Sequence, residues 1–176
     1  WIYVNDHMET SVPGVYAIGD CVFGKAQLAH AASAMGEVAA ENAMGHTSVY
    51  DETSNPTCVY LDPEFAGVGM TEEQAQKRNI DYKVGRFPMM ANGKALILNG
   101  GQGMVKVVAD KKYGEILGIH ILGPRATELI AEGALAIRME ATLDELISTI
   151  HAHPTVSEVL REAALAAEKR AIHIRN

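Results

Sequence analysis

Apolar and polar residues alternate along the middle of the chain in a pattern typical of half-buried β-strands. The alternation runs through DYKVGRF (81–87), GMVKVVAD (103–110) and GEILGIHILG (114–123), and TCVYL (57–61) is a shorter stretch of the same kind. The segment KKYG (111–114) predicts a turn between the last two long strands. The pattern therefore predicts a set of antiparallel strands.

Several other segments carry apolar residues at helical spacing. RATELIAEGALAIRM (125–139), TLDELIST (142–149) and TVSEVLREAALAAEKR (155–170) predict three helices. A shorter helix, EEQAQKRN (72–79), is predicted to begin with a capping box formed by Thr71 and Gln74. Antiparallel strands followed by segregated helices are typical of an α+β domain.

The first fifty residues have a different pattern, with a short β-run and an Ala-rich helix. Pro13 and Gly14 predict a turn before a short β-run at 15–18, and the Ala-rich stretch 26–45 predicts a buried helix that ends at Gly45. Residues 46–56, HTSVYDETSNP, have the composition of a linker. We therefore predict two domains, residues 1–50 and 51–176.

Composition limits the classes of function. The 176 residues carry a formal charge of -7 without a basic stripe, which disfavours nucleic-acid binding, and no apolar run is long enough to predict a membrane span. Cys21 and Cys58 are far apart and lack a CxxC partner, so we expect two buried or half-buried thiols in a reducing cytoplasm. The opening WIYVN resembles the middle of a strand, and we expect the chain to be part of a longer protein.

Two glycine-rich stretches fall short of nucleotide-binding motifs. Gly67 and Gly69 begin a GxGxxG pattern, but Glu72 occupies the third position, so a strand-to-helix turn is the better interpretation. The stretch 100–103, GGQG, lacks the Lys-Ser/Thr of a P-loop and predicts a flexible connection.

The isolated histidines suggest no site by themselves. His7, His46 and His173 lie in loop-like or terminal segments and are expected to be exposed without partners, whereas His120 is expected to be a satisfied side chain within a strand. The doublet His151-x-His153 could form half of a metal site, but nothing nearby completes it, and we predict no metal.

Two motifs leave structural and functional interpretations open. In HAHPTVSE (151–158), Glu158 fits a capping box with Thr155. The alternative is that Glu158 holds the ring of His153 as an acid-base pair, since imidazole titrates at about pH 6.5. In YAIGD (16–20), Asp20 is either a turn residue or a hydrogen-bond acceptor for ligand hydroxyls at the end of a strand. The helix that follows would offer free N–H groups at Gln27, Leu28 and Ala29.

Four separated motifs, TSVPGVYAIGD, QLAH, ILGPRATELI and HAHPTVSEVLREA, together resemble the carboxyl-terminal part of the flavin-dependent disulfide reductases. The resemblance implies a short piece of the FAD-binding domain followed by the antiparallel interface domain that forms the homodimer. It implies that Asp20 binds the ribityl chain of FAD and that Gln27, Leu28, Ala29 and His30 lie beside the isoalloxazine ring. It also implies that His153 is the acid-base catalyst, oriented by Glu158, with a cis peptide before Pro154.

The His-x-His-Pro doublet is similar to that of the family members that oxidise dihydrolipoamide with NAD+. The resemblance then implies a lipoyl-bearing 2-oxo acid dehydrogenase or glycine cleavage complex as partner. It places the redox cysteines and the NAD site outside this chain, so we expect the chain alone to be inactive yet dimeric. The alternatives are a glutathione reductase-like enzyme, or a dimerisation module that has kept the fold without the chemistry.

Overall fold

The computed structural model of the protein describes residues 1–175. The backbone divides into two compact units, one from Trp1 to Glu52 and one that begins at Thr53. This division falls inside the segment 46–56 whose composition predicts a linker. Each unit has a hydrophobic core of its own.

The first unit is built around one helix, α1 (Ala29–Ala43). Ala31, Met35 and Ala39 are its buried residues, which places about one side chain per turn against the core of this unit. The predicted stop at Gly45 lies two residues after the last helical residue, and Gly45 adopts a left-handed conformation with φ +86°.

The two β-runs predicted in the first unit are wrong as regular strands. Tyr16 makes a single antiparallel bridge with Glu9, and Ile2 makes a single parallel bridge with Val22. A strand requires a neighbour that continues the hydrogen-bond ladder, and in the described part of this unit each of these pairings stops after one bridge. Apolar composition alone therefore overestimated the strand content.

The second unit contains a five-stranded antiparallel sheet in the order β1-β2-β5-β4-β3. Its strands are β1 (Thr57–Val59), β2 (Phe65–Gly69), β3 (Tyr82–Pro88), β4 (Met104–Asp110) and β5 (Ile116–Leu122). The four stretches that predict strands in this unit each contain one, and the turn 111–114 joins β4 to β5 as predicted.

Strand β2 was missed because its glycines resemble a turn. Gly67 pairs with His120 across the sheet, and a Cβ at Gly67 would lie 2.9 Å from the His120 ring carbon Cδ2. Gly69 ends the strand with φ +73°, where a Cβ would lie 2.3 Å from the Leu117 carbonyl oxygen. These glycines permit close approach inside a strand, and the turn toward the next helix begins only after them.

The helices of the second unit are α2 (Glu72–Lys77), α3 (Gly93–Asn99), α4 (Ala126–Arg138), α5 (Leu143–Ser148) and α6 (Glu158–Ala167). Helix α4 packs against β2 and β5, whereas α6 packs against β3 and β4, and their apolar faces enclose the main core. The predicted capping box of Thr71 and Gln74 is present. Helix α3 was not predicted; it precedes the glycine-rich connection 100–103.

The second unit is therefore an α+β domain with an antiparallel sheet, which confirms the predicted fold class. Among the described residues, no helix combines the length and the apolar character that a membrane crossing requires.

Candidate functional site

The turn between α5 and α6 borders a cavity of about 520 Å³. The peptide bond between His153 and Pro154 in this turn is cis, as expected from the family resemblance. The titratable side chains that line the cavity come from the turn, from α6 and from the segment after α6: His151, His153, Glu158, Arg161, Glu162 and His173.

His153 and Glu158 form a hydrogen-bonded pair at this cavity. The His153 Nδ1 atom lies 3.0 Å from the Glu158 Oε1 atom. The histidine side chain is 81% exposed, whereas the carboxylate is 28% exposed because it lies at the first turn of α6. The pair thus presents an accessible imidazole that a fixed carboxylate orients.

The second oxygen of Glu158 accepts a hydrogen bond from the Thr155 N–H at 3.0 Å. The same carboxylate therefore makes the cap contact and the histidine contact, one with each oxygen. The predicted capping box is only half present, because the Thr155 hydroxyl donates to the Ala152 carbonyl oxygen at 2.6 Å instead of capping the helix. The structural and functional interpretations of Glu158 are compatible.

The charge state of Glu158 follows from its contacts. Burial disfavours its ionised form, but the hydrogen bonds from the Thr155 amide and from His153, together with the nearby His173, outweigh burial and lower the pKa of the carboxyl. An ionised carboxylate can only accept hydrogen bonds, so the proton between the two side chains belongs to His153 Nδ1. The Nε2 atom of neutral His153 then carries a lone pair.

Asn92 supports the turn from a distant part of the sequence. The side chain of this buried residue accepts a hydrogen bond from Ala95 N–H at 2.8 Å, which caps α3, and donates one to the Thr155 carbonyl oxygen at 3.0 Å. Sequence reasoning missed Asn92. An asparagine before GKALILN is a helix-start signal, but nothing local indicates its second contact.

Both ring nitrogens of His151 contact protein groups. Its Nε2 atom lies 2.8 Å from Glu132 Oε1 of α4, and its Nδ1 atom lies 3.1 Å from the Thr149 carbonyl oxygen. Residues 1–175 contain no group of three side chains arranged to hold a metal ion.

Three expectations about the hydrogen-bond partners of other histidines were wrong, although His46 and His173 are exposed as expected. His7 Nδ1 lies 2.6 Å from the Ser48 carbonyl oxygen, and His173 Nδ1 lies 3.1 Å from Glu162 Oε1, so both have partners. His120 is not satisfied, since its buried Nδ1 has no hydrogen-bond partner in the described part of the chain. Burial and the nearby Lys106 ammonium lower the pKa of His120.

The candidate flavin residues lie in the first unit. Asp20 is exposed within a short 3-10 turn, Gly19–Cys21, and its carbonyl oxygen accepts a hydrogen bond from Gln27 Nε2 at 3.3 Å. Leu28 is the N-cap of α1 and provides no side-chain cap. The helix begins at Ala29, with His30 in its first turn, so Gln27 lies outside the run of helical N–H groups that the sequence suggested.

The expectation that both thiols are buried or half-buried was wrong for Cys21. Cys21 is exposed and donates a hydrogen bond to the Ile18 carbonyl oxygen at 3.3 Å, whereas Cys58 is partly buried. Both cysteines are free.

Two matches to known protein families identify the family of the chain. Residues 55–164 match the dimerisation domain of the pyridine nucleotide-disulphide oxidoreductases, and residues 1–36 match the pyridine nucleotide-disulphide oxidoreductase domain that precedes it. The chain belongs to this family. One matched range lies in each unit, and the family agrees with the resemblance seen in the four motifs.

The chain is similar in sequence to several curated proteins of this family. The chain is 53% identical over all of its length to a dihydrolipoyl dehydrogenase of Thermus scotoductus. Over 98% of its length it is 47% identical to one of Bacillus subtilis and 46% identical to mitochondrial dihydrolipoyl dehydrogenase 1 of Arabidopsis thaliana. It spans only 38%, 36% and 34% of these relatives, respectively.

Solved structures of the family share the fold. LpdA from Mycobacterium tuberculosis superposes with a TM-score of 0.87 at 28% identity, over 93% of this chain and 36% of LpdA. The HOCl-induced flavoprotein disulfide reductase RclA from Escherichia coli gives a TM-score of 0.80 at 25% identity, over 92% of this chain and 37% of RclA.

Proposed function

We propose that this chain is part of a flavoprotein that oxidises dihydrolipoamide with NAD+ through FAD and a redox disulfide. His153 is the acid-base catalyst in this proposal, and Glu158 orients it. The observation that carries the proposal is the 3.0 Å contact between His153 Nδ1 and Glu158 Oε1 beside an open cavity. The similarity to proteins named dihydrolipoyl dehydrogenase supports the choice of substrate.

The pair is suited to removing a proton from a thiol. A free thiol has a pKa of about 8.5, so most of it is protonated at neutral pH and is a poor nucleophile. The Nε2 lone pair of His153 accepts this proton, and the resulting imidazolium is stabilised by the Glu158 carboxylate. The orientation is fixed before the substrate arrives, because Glu158 is itself held by the Thr155 amide.

The thiolate then attacks one sulfur of the redox disulfide. A new bond forms between the substrate sulfur and the attacked sulfur, while the second protein sulfur leaves with the electron pair of the broken bond. Cys21 and Cys58 are free thiols and are not assigned to this disulfide. When the reaction runs in reverse, the His153 imidazolium returns the proton to the departing substrate thiolate.

The residues of the first unit fit a flavin. The Asp20 carboxylate is exposed and suits the hydroxyl groups of a ribityl chain, and the start of α1 lacks a side-chain cap, which suits an acceptor group. Asp20 would hold the ribityl chain, and the segment Gln27–Leu28–Ala29–His30 would lie beside the ring. FAD supplies the two-electron transfer between the redox disulfide and NAD+.

A homodimer is part of the same proposal. Leu135 and Met139 occupy neighbouring turns on the outer side of α4, and both are largely exposed, as is Ile150 in the turn that His151 ties to this helix. Exposed apolar side chains grouped in this way are typical of an interaction surface. The lipoyl-bearing partner would be a 2-oxo acid dehydrogenase or glycine cleavage complex.

The oligomeric state of the 176-residue chain tests this part of the proposal. We expect the chain to sediment as a dimer at micromolar concentration. The second unit has its own hydrophobic core, and it also carries the exposed apolar side chains of Leu135, Met139 and Ile150. Analytical ultracentrifugation gives the mass directly. A monomer at that concentration would contradict the assignment of this face.

The substrate assignment is tested on the complete FAD-containing protein to which the chain belongs. We expect rapid NAD+ reduction with dihydrolipoamide and little reduction of glutathione disulfide by NADPH. The opposite preference would replace the proposal with a glutathione reductase-like function. Absence of both activities, with FAD bound and the dimer intact, would favour a non-catalytic dimerisation module.

A further inference from the structure

The turn that carries His153 contains two histidines in opposite environments. The side chain of His153 is 81% exposed, whereas the side chain of His151 is 5% exposed. The buried ring is bound by Glu132, which lies 19 residues earlier on α4. The His153 ring is thus accessible to a ligand, whereas the His151 ring connects the turn to α4.

The contacts of His151 define its protonation state. Both ring nitrogens face acceptors, the Thr149 carbonyl oxygen at 3.1 Å and the Glu132 carboxylate at 2.8 Å. A neutral imidazole has only one N–H, so only the imidazolium satisfies both contacts as a donor. The hydrogen bond to Glu132 raises the pKa of His151, against the opposing effects of burial and of the Arg161 guanidinium on α6.

The ion pair between His151 and Glu132 connects the turn to α4, and α4 packs against the sheet. Glu132 adjoins Gly133, which packs against Ile119 of β5 and Val68 of β2. On the other side of His153, the Glu158 carboxylate holds the Thr155 amide. His153 therefore lies between two contacts with helices, one made by His151 with Glu132 of α4 and one made by His153 itself with Glu158 of α6.

We infer that His151 is a positioning residue, whose ion pair with Glu132 holds the turn so that His153 meets the substrate thiol in one orientation. This inference rests on the proposed function, since it concerns the productive orientation of the same imidazole. A misplacement of about 1 Å can cost roughly 100-fold in rate, so a flexible turn would lower turnover without removing any reacting group.

The test uses His151→Ala and Glu132→Gln in the complete FAD-containing protein, separately and together. We expect each single variant to lower kcat per bound FAD by roughly 10-fold. Because both substitutions break the same ion pair, the kcat of the double variant should be no lower than that of the less active single variant. If His151→Ala does not fold, Glu132→Gln carries the test, because its amide keeps the shape and an acceptor oxygen while removing the charge.

The pH profile separates positioning from general stability. A histidine with a raised pKa contributes its ion pair fully below about pH 6.5 and loses it as pH rises through the raised value. The ratio of wild-type kcat to His151→Ala kcat is therefore expected to be largest at low pH and to decline at high pH. A loss of fold stability alone would leave kcat per bound FAD unchanged at temperatures below unfolding.

Two controls make failure of this inference distinguishable from failure of the proposed function. Glu128→Gln makes the same charge change one turn earlier on α4, at an exposed position, and is expected to leave kcat within twofold. If His153→Gln abolishes turnover while His151→Ala and Glu132→Gln stay within twofold at every pH, the inference is overturned and the proposed function stands. If His153→Gln retains full turnover, both are overturned.

Discussion

We expect His153→Gln to lower the rate of NAD+ reduction by dihydrolipoamide by about 100-fold to 10,000-fold, the usual range for loss of a general acid-base group. Glutamine is similar in length and can still donate a hydrogen bond to Glu158, but it does not titrate near neutral pH and cannot take the thiol proton. Because the His153 side chain is 81% exposed, its replacement removes little packing. Steady-state turnover per bound FAD is the measurement.

The same experiment distinguishes catalysis from helix capping. If His153 serves mainly to order the turn, the variant would lose thermal stability while its turnover per folded molecule stays unchanged. His46→Gln is a matched control, since His46 is an exposed histidine in the first unit and is assigned no role. An unchanged rate in His153→Gln would remove this histidine from the mechanism.

The second large effect is expected from Gly85→Ala, which should lower the free energy of unfolding by about 3 kcal/mol, the upper end of the usual cost of overpacking a core. Gly85 lies on β3 under helix α6, and a Cβ at this position would be 1.8 Å from the Ala163 carbonyl oxygen and 2.5 Å from the Ala167 amide nitrogen. These are backbone atoms of a packed helix, so relief requires α6 to move away from the sheet. Glu158 begins α6, and the same movement would disturb its contact with His153.

Urea denaturation of the 176-residue chain measures this effect. Gly93→Ala is the matched control, because a Cβ at Gly93 would meet no atom within 4 Å and the residue is helical without a positive φ. The control is expected to change the unfolding free energy by less than about 1 kcal/mol. Equal midpoints for the two variants would contradict the close packing of α6 on β3.

The site was predictable only in its local part. His153 and Glu158 are five residues apart in a motif with a proline, so the chain can bring them together within one turn. Asn92 and Glu132, in contrast, reach the same turn from 63 and 19 residues away. Their participation depends on how α3 and α4 pack, which no local pattern encodes.

The sequence by itself determined the elements whose hydrogen bonds and apolar faces follow a local period. Strands β3, β4 and β5 follow from alternation, α4 and α6 follow from helical spacing, and the start of α2 follows from its capping box. In each case the residues that form the pattern also form the element, so the information lies within a few positions.

Tertiary structure alone decided where distant segments meet. It placed Gly67 in a strand because β2 pairs with β5, where Gly67 lies opposite His120. It left 15–18 without a strand because, among the described residues, the pairing of Tyr16 with Glu9 stops after one bridge. It also joined His151 to Glu132 and His173 to Glu162. The physical reason is the same throughout: these features depend on free energies of pairing between residues that only the packed chain brings within contact distance.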